Sequence, residues 1–177
     1  MKRLIAMMTV AALFTACSGG GEDAANTNDS KATEPKTMEQ DKPVKEEVNK
    51  EVEEVMLEVH AVGENMTEMA FEPKRLEVPA GANVTVTLIN KATSEAMIHN
   101  FVVINAGTQK EVNEQAMEAG SANDFLPEND NIIAATSMAN PGETVEVEFT
   151  APSEPGTYQY ICTYPGHAAM KGVFLVK

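Results

Sequence analysis

From Val55 onward the chain breaks into short stretches in which apolar and polar residues alternate, and this pattern leaves few folds open. In "NVTVTLIN" Val84, Val86 and Leu88 fall on one face, and in "TVEVEF" Val145, Val147 and Phe149 alternate with Glu146 and Glu148. A period of two places successive side chains on opposite faces of a sheet. "VMLEVHAV", "RLEV", "HNFVVIN", "IIAATS", "PGTYQYIC" and "GVFLVK" read as further strands, with "HNFVVIN" more fully apolar and so more buried. Turns such as "PAGA" and "NPGE" separate them. Many short strands with Gly/Pro turns predict an all-β sandwich or barrel. Gly107 to Asn131 breaks the pattern. There "QKEVNEQAMEAG" predicts one or two helical turns and "SANDFLPENDN" a loop, together a helical flap inserted between strands.

Upstream of this domain the composition changes twice. Lys2 and Arg3 precede an apolar run from Leu4 to Phe14, and Thr15-Ala16-Cys17 closes it with small residues. This layout predicts a secretory signal peptide over residues 1–16. The run is shorter than the ~20 apolar residues that span a bilayer. The Cys directly after Ala16 resembles a bacterial lipobox, which implies lipid on Cys17; an ordinary soluble export signal is the alternative. Residues 17–54 carry Pro35 and Pro43, are rich in Gly, Ala, Asn, Thr, Glu and Lys, and hold no aromatic side chain. Such a segment buries too little apolar surface to fold and reads as a polar tether. The expectation is an exported domain over 55–177, in the periplasm or cell envelope, reaching a membrane by its lipid alone.

The formal net charge is −14, and the acidic excess extends beyond the tether into the domain. Nucleic-acid binding needs a basic stripe and is not expected. An acidic surface favours a soluble monomer and steers basic partners. Of the two cysteines, Cys162 has no disulfide partner if Cys17 carries lipid. An unpaired thiol in an oxidising compartment is a hazard unless something occupies it.

"YICTYPGHAAMKG" brings Cys162, His167 and Met170 within nine residues. A soft thiolate, a neutral imidazole and a thioether suit copper. Two His and one Cys with a weak axial Met make a blue-copper site, so a second His must come from elsewhere. His60 and His99 remain. His99 stands in "MIHNFVV" at the mouth of a buried strand, where its ring would be held stiffly. His60, inside "LEVHAV", reads as a surface or packing residue. Cys162 ends the strand "YQYI", "TYPG" turns the chain, and His167 and Met170 come back toward the same point.

"HNFVV" followed much later by "CTYPGHAAMKG" resembles the cupredoxins, and within them the azurin and auracyanin group, over about Met56 to Lys177. "MAFEPKRLEVPAG", the helical flap and "NDNIIAAT" extend the resemblance. It implies an eight-stranded Greek-key sandwich holding one copper ion at one end. By the same resemblance His99, Cys162 and His167 would be the equatorial ligands and Met170 the axial one. The Ile98 carbonyl, where azurins have Gly, would sit opposite the Met, and the backbone N–H groups of Asn100 and Tyr164 would donate to the sulfur. The Asn100 side chain is expected to clamp its strand to the ligand loop. Two residues separate His167 from Met170, one fewer than in azurins.

Three ligands and a Met leave no open position for water or substrate, which catalytic metals keep. The expected function is one-electron transfer between exported redox proteins, with no enzymatic activity. His167 is expected to turn its ring edge outward among Tyr164, Pro165, Gly166, Ala168 and Ala169, joined by resemblance with Met69 and Met97. An apolar patch of this kind is a docking surface, here for c-type cytochromes or haem or copper oxidoreductases. The competing role for Met69 and Met97 is core packing. Two rival functions use the same residues. A Cys162–His167 nucleophile pair lacks an orienting third group and room for a substrate. A copper carrier or buffer would favour Cu(I) and open Met-rich or His-rich tracts, whereas here the Met are scattered and the His few.

Overall fold

Among the described residues, 52–177 of a computed structural model, nine strands build two sheets. The predicted signal peptide, Cys17 and nearly all of the predicted tether lie outside the described residues. The strands are β1 (Glu54–Val62), β2 (Ala70–Glu72), β3 (Arg75–Val78), β4 (Asn83–Asn90), β5 (Val102–Ile104), β6 (Ile132–Ala135), β7 (Thr144–Thr150), β8 (Gly156–Ile161) and β9 (Lys171–Val176). One sheet runs β2-β1-β4-β7 and the other β3-β9-β8-β5-β6. The pairs β1–β4 and β3–β9 are parallel, and the other paired neighbours are antiparallel. The strand beyond the eight expected is β2, three residues long, which pairs with the end of β1 and buries Phe71.

The alternation read from the sequence is the alternation of burial. Val84, Val86 and Leu88 of β4 are buried, while Thr85 and Thr87 between them face outward half-exposed. Each such side chain contributes about 1.5–3 kcal/mol when fully buried. Between the sheets Phe71, Phe101 and Tyr160 pack together, with Phe101 and Tyr160 stacked at 4.9 Å and Phe71 tilted against Tyr160 at 5.3 Å. Tyr160 donates its hydroxyl to the Pro73 carbonyl. Its ring needs Gly172 opposite it on β9, because a Cβ there would lie 2.0 Å from a ring carbon.

The flap contains a longer helix than the one or two turns expected, α1 (Gln109–Ala119), followed by a 3₁₀ turn at Ser121–Asn123. Val112 and Ala116, one turn apart, are its buried residues. Val112 packs with Val102, Ile104 and Ile161 in a second, smaller core on the outer face of the five-stranded sheet. Residues of β5 and β8 therefore alternate between two cores. Val103 and Tyr160 face the main one, and Val102, Ile104 and Ile161 face the helix.

Candidate metal centre

The strand phase decides where the thiol points. Tyr160 faces the main core from β8, so Cys162, two residues on, faces the same interior and is fully buried. The chain then turns and re-enters at β9. The loop closes on its own backbone: the His167 N–H donates to the Tyr164 carbonyl (3.0 Å), Met170 N–H to the His167 carbonyl (2.8 Å) and Cys162 N–H to the Met170 carbonyl (3.2 Å). Gly166 sits at the bend with φ +85°, and a Cβ there would meet the Met66 methyl at 2.7 Å. The left-handed φ disfavours a side chain at this position, whereas the Met66 methyl, at the end of a flexible exposed side chain, can swing aside.

The second wall carries His99. The expected strand "HNFVVIN" pairs regularly only from Val102, and His99 joins through an isolated bridge to Ala139. In that bridge His99 N–H donates to the Ala139 carbonyl (3.1 Å), and Ala139 N–H donates back (2.7 Å). Buried Asn90 holds both flanks. Its Nδ2 donates to the carbonyls of Met97 (2.7 Å) and Ala139 (3.0 Å), and its Oδ1 accepts from Ala92 N–H (3.1 Å). Asn100 ties this wall to the loop. Its Nδ2 donates to Thr163 Oγ1 at 2.8 Å, and Thr163 N–H donates to its Oδ1 at 2.9 Å.

Three donor atoms meet between the walls. Cys162 Sγ is 3.8 Å from the Nδ1 of His99 and 3.8 Å from the Nδ1 of His167, and the two nitrogens are 3.2 Å apart. An ion in their plane, ~2.0 Å from each nitrogen and ~2.3 Å from the sulfur, would separate its donors by about 3.5 and 3.7 Å. The trio therefore fits one metal ion with little adjustment. Met170 is fully buried beside it in the same core. His99 Nε2 is buried and has no hydrogen-bond partner among the described residues, so the ring is oriented by its backbone and by what Nδ1 faces.

The electrostatics suit a cation. Burial, aided by the neighbouring His167, lowers the His99 ring to about 4. Burial also lowers His167, against the pull of the Ile98 carbonyl. Both imidazoles are thus neutral and offer lone pairs. Burial raises the Cys162 thiol to about 11, although the backbone N–H groups of Asn100 and Tyr164 reach the sulfur and pull the other way. A cation that displaces the thiol proton finds those two N–H groups already aimed at the thiolate.

The expected docking residues divide. Gly166, Ala168 and Ala169 are exposed, and Tyr164 and Pro165 are half-buried. Met69 and Met97 are buried at 8% and 3% exposure and belong to the main core. They pack and offer no surface, which corrects their reading as docking residues. His167 does not turn an edge outward either, being 2% exposed. The Tyr164 ring lies 4.9 Å from it, and Phe125 meets Tyr164 edge-on at 5.4 Å. The methionines that do reach the surface here are Met66 over Gly166 and Met117 of α1, at 56% and 59% exposure. Met117, Pro165, Gly166 and Ala168 line a mostly apolar groove of about 430 Å³ between α1 and the ligand loop. Met117 went unread, although it is the one large apolar residue of α1 off the Val112–Ala116 face, a signal that could have marked it. Met66, in a turn-rich segment, carried no such signal.

His60 lies apart, half-buried on β1 with its Nε2 2.7 Å from Glu58 Oε1.

Comparison with known proteins agrees with this geometry. The model of the copper binding proteins of the plastocyanin/azurin family matches residues 57–177. Auracyanin-A of Chloroflexus aurantiacus is 33% identical over 180 aligned residues, covering 99% of this chain and 96% of that protein. The solved structure of auracyanin A, described as a "blue" copper protein, aligns with a TM-score of 0.62 and 39% identity over 70% of this chain and 99% of that one. Dithionite-reduced auracyanin from Roseiflexus castenholzii aligns with a TM-score of 0.62 and 42% identity over 69% of this chain and 96% of that one. With a family model spanning its folded domain and a relative matched along nearly its whole length, the chain belongs to the plastocyanin/azurin family of copper-binding proteins, the cupredoxins.

Proposed function

We propose that the protein is a one-electron carrier with a single type 1 copper. In this reading Nδ1 of His99, Sγ of Cys162 and Nδ1 of His167 would hold the ion, and the buried Met170 would supply a further sulfur donor. The observation that carries it is the convergence of two neutral imidazole nitrogens and a buried thiol at ligand spacing. When bound, copper supplies a one-electron couple. The protein's residues supply the rest. Asn100 and Tyr164 donate backbone N–H groups to the sulfur and so tune it. The Asn90, Asn100 and Thr163 bonds keep the donors in one arrangement for both oxidation states. Full burial of Cys162 and His99 excludes water.

As a cupredoxin the chain is an electron carrier and not an enzyme, which sets aside the Cys162–His167 nucleophile pair. A copper carrier that exchanges its metal is disfavoured by the burial of His99, Cys162, His167 and Met170 at 2% exposure or less. Partners would dock on the apolar surface of Tyr164, Pro165, Gly166 and Ala168, extended by Met66 and Met117. Exported c-type cytochromes or haem or copper oxidoreductases with basic faces fit the acidic chain. Cys17 would tether the carrier at the cell envelope. Adding Cu(II) to metal-free protein tests the reading. An intense blue Cu(II)–thiolate band with reversible one-electron voltammetry is expected, and a colourless, rapidly exchanging Cu(I) site would overturn it.

A further inference from the structure

The part of the ligand loop with least to hold it is Ala168–Ala169, the short link between His167 and Met170. Both methyl groups are exposed, and the backbone bonds that close the loop fall on either side of them, at His167 and Met170. Among the described residues a hydrogen bond reaches this link from α1. Gln109 Nε2 donates to the Ala168 carbonyl at 2.6 Å, while Gln109 Oε1 accepts from Lys171 Nζ at 3.3 Å. The amide thus bridges the residues on both sides of Met170. Its orientation follows from its partners, because a carbonyl requires the NH₂ end and an ammonium requires the oxygen.

Gln109 is well placed to act as an anchor. It is the first residue of α1, preceded by Thr108, whose hydroxyl donates to the Asn105 carbonyl at 2.8 Å. Three residues later Val112 is fully buried against Val102, Ile104 and Ile161 of the five-stranded sheet. The backbone that carries the amide is therefore fixed to the same sheet that delivers Cys162. A bond from that frame to Ala168 restrains the loop where His167 ends and Met170 begins. In a blue-copper site the axial contact tunes the redox potential.

We propose that Gln109 is a positioning residue for the metal centre, acting through the Ala168 carbonyl to set how Met170 approaches the ion. The proposal rests on the copper reading above. It gives the flap helix a role in the site, and it supplies from outside the loop the restraint that the loop's own side chains cannot.

The test compares the parent chain with Gln109→Ala, Gln109→Glu and Lys171→Met. Gln109→Glu keeps the size and the Lys171 partner but sets a carboxylate against the Ala168 carbonyl. Lys171→Met keeps the donor to Ala168. In the metal-free proteins, amide hydrogen exchange at His167 and Met170, whose N–H groups close the loop, should rise several-fold in both Gln109 variants, with β8 and β9 interiors unchanged. After Cu(II) loading, both Gln109 variants should shift the reduction potential and the intensity ratio of the visible bands, and Lys171→Met should match the parent. Parent-like exchange, potential and spectra in both Gln109 variants would overturn the proposal. A shift in Lys171→Met as large as theirs would also overturn it, by assigning the effect to charge. A parent that stays colourless with Cu(II) removes the copper reading and this proposal with it. A coloured parent with unshifted variants removes the proposal alone.

Discussion

The two walls of the metal centre are held by different means. His99 is fixed from a distance: Asn90 on β4 holds both flanking segments, Ala139 closes a backbone bridge, and Asn100 reaches across to Thr163. The Cys162–Met170 loop instead holds itself through short-range backbone bonds, with Gln109 touching its middle. The wall is a buried polar network, in which each lost partner leaves another group unsatisfied. The loop is a local turn, tied to the wall at its start through Thr163. Two residues between His167 and Met170 are enough to close the loop, through the bond from Met170 N–H to the His167 carbonyl.

Variants on either side sharpen the contrast. Cys162→Ser removes the ligand at the start of the loop, and the blue absorption of the copper-loaded protein should vanish while the metal-free fold persists. Colour that survives would place the thiolate elsewhere. Asn90→Ala strips the wall of its hub, leaving the Met97 carbonyl and the Ala92 N–H without partners and the Ala139 carbonyl with only the His99 N–H. Denaturant unfolding of the metal-free protein should show a loss of ~3 kcal/mol, and a loss below ~1 kcal/mol would mean that the wall does not depend on Asn90. A methionine pair then separates interior from surface. Met69→Ala should cost about 2–3 kcal/mol in the same assay. Met66→Ala should stay within ~0.5 kcal/mol of the parent and slow electron exchange with a c-type cytochrome several-fold. The reverse pattern would return Met69 to the surface.

The fold was legible because its strands are amphipathic. "NVTVTLIN" could satisfy its apolar face only as β4, and "TVEVEF" only as β7. The strand β2 was not, because three residues are too few to show a period, and Phe71 is fixed by ring contacts with Phe101 and Tyr160 that exist only once the sheets meet. Of the site, Cys162, His167 and Met170 could be read together because one loop carries them, and His99 by the apolar strand that follows it. Core packing of Met69 and Met97 was one of two readings left open, and the burial of His167 could not be read, since neither spacing nor composition reveals that Tyr164, itself packed on Phe125, lies against the imidazole. Gln109 and Thr163 escaped for the same reason. Their partners lie far away in sequence, and a glutamine at the start of a helix looks like any solvated residue.

Weaker effects probe the loops around the wall. The exposed Glu64 carboxylate accepts from Thr93 N–H and hydroxyl and from Ser94 N–H, at 2.9–3.1 Å. The Thr93 backbone bond, then its hydroxyl, are the main causes that hold its pKa below the ordinary 4.5. A group depressed in the folded state stabilises above its unfolded pKa and loses that contribution as pH falls through its folded one. The stability gap between the parent and Glu64→Gln should therefore be constant near neutrality and close as pH drops below about 4.5. A gap that widens on acidification would reverse the sign. The smallest effect is expected at His60, whose partner is Glu58 on its own strand. His60→Ala should leave the copper spectrum unchanged, and a bleached protein would overturn the choice of His99.

In the proposed copper site, three side chains from two differently held walls share one ion. A crystal structure of the copper-loaded protein tests it directly. A single copper bonded to Nδ1 of His99, Sγ of Cys162 and Nδ1 of His167 is expected, with the Met170 sulfur as a longer fourth contact. Copper bound through His60, or a Cys162 sulfur left outside the coordination sphere, would contradict it.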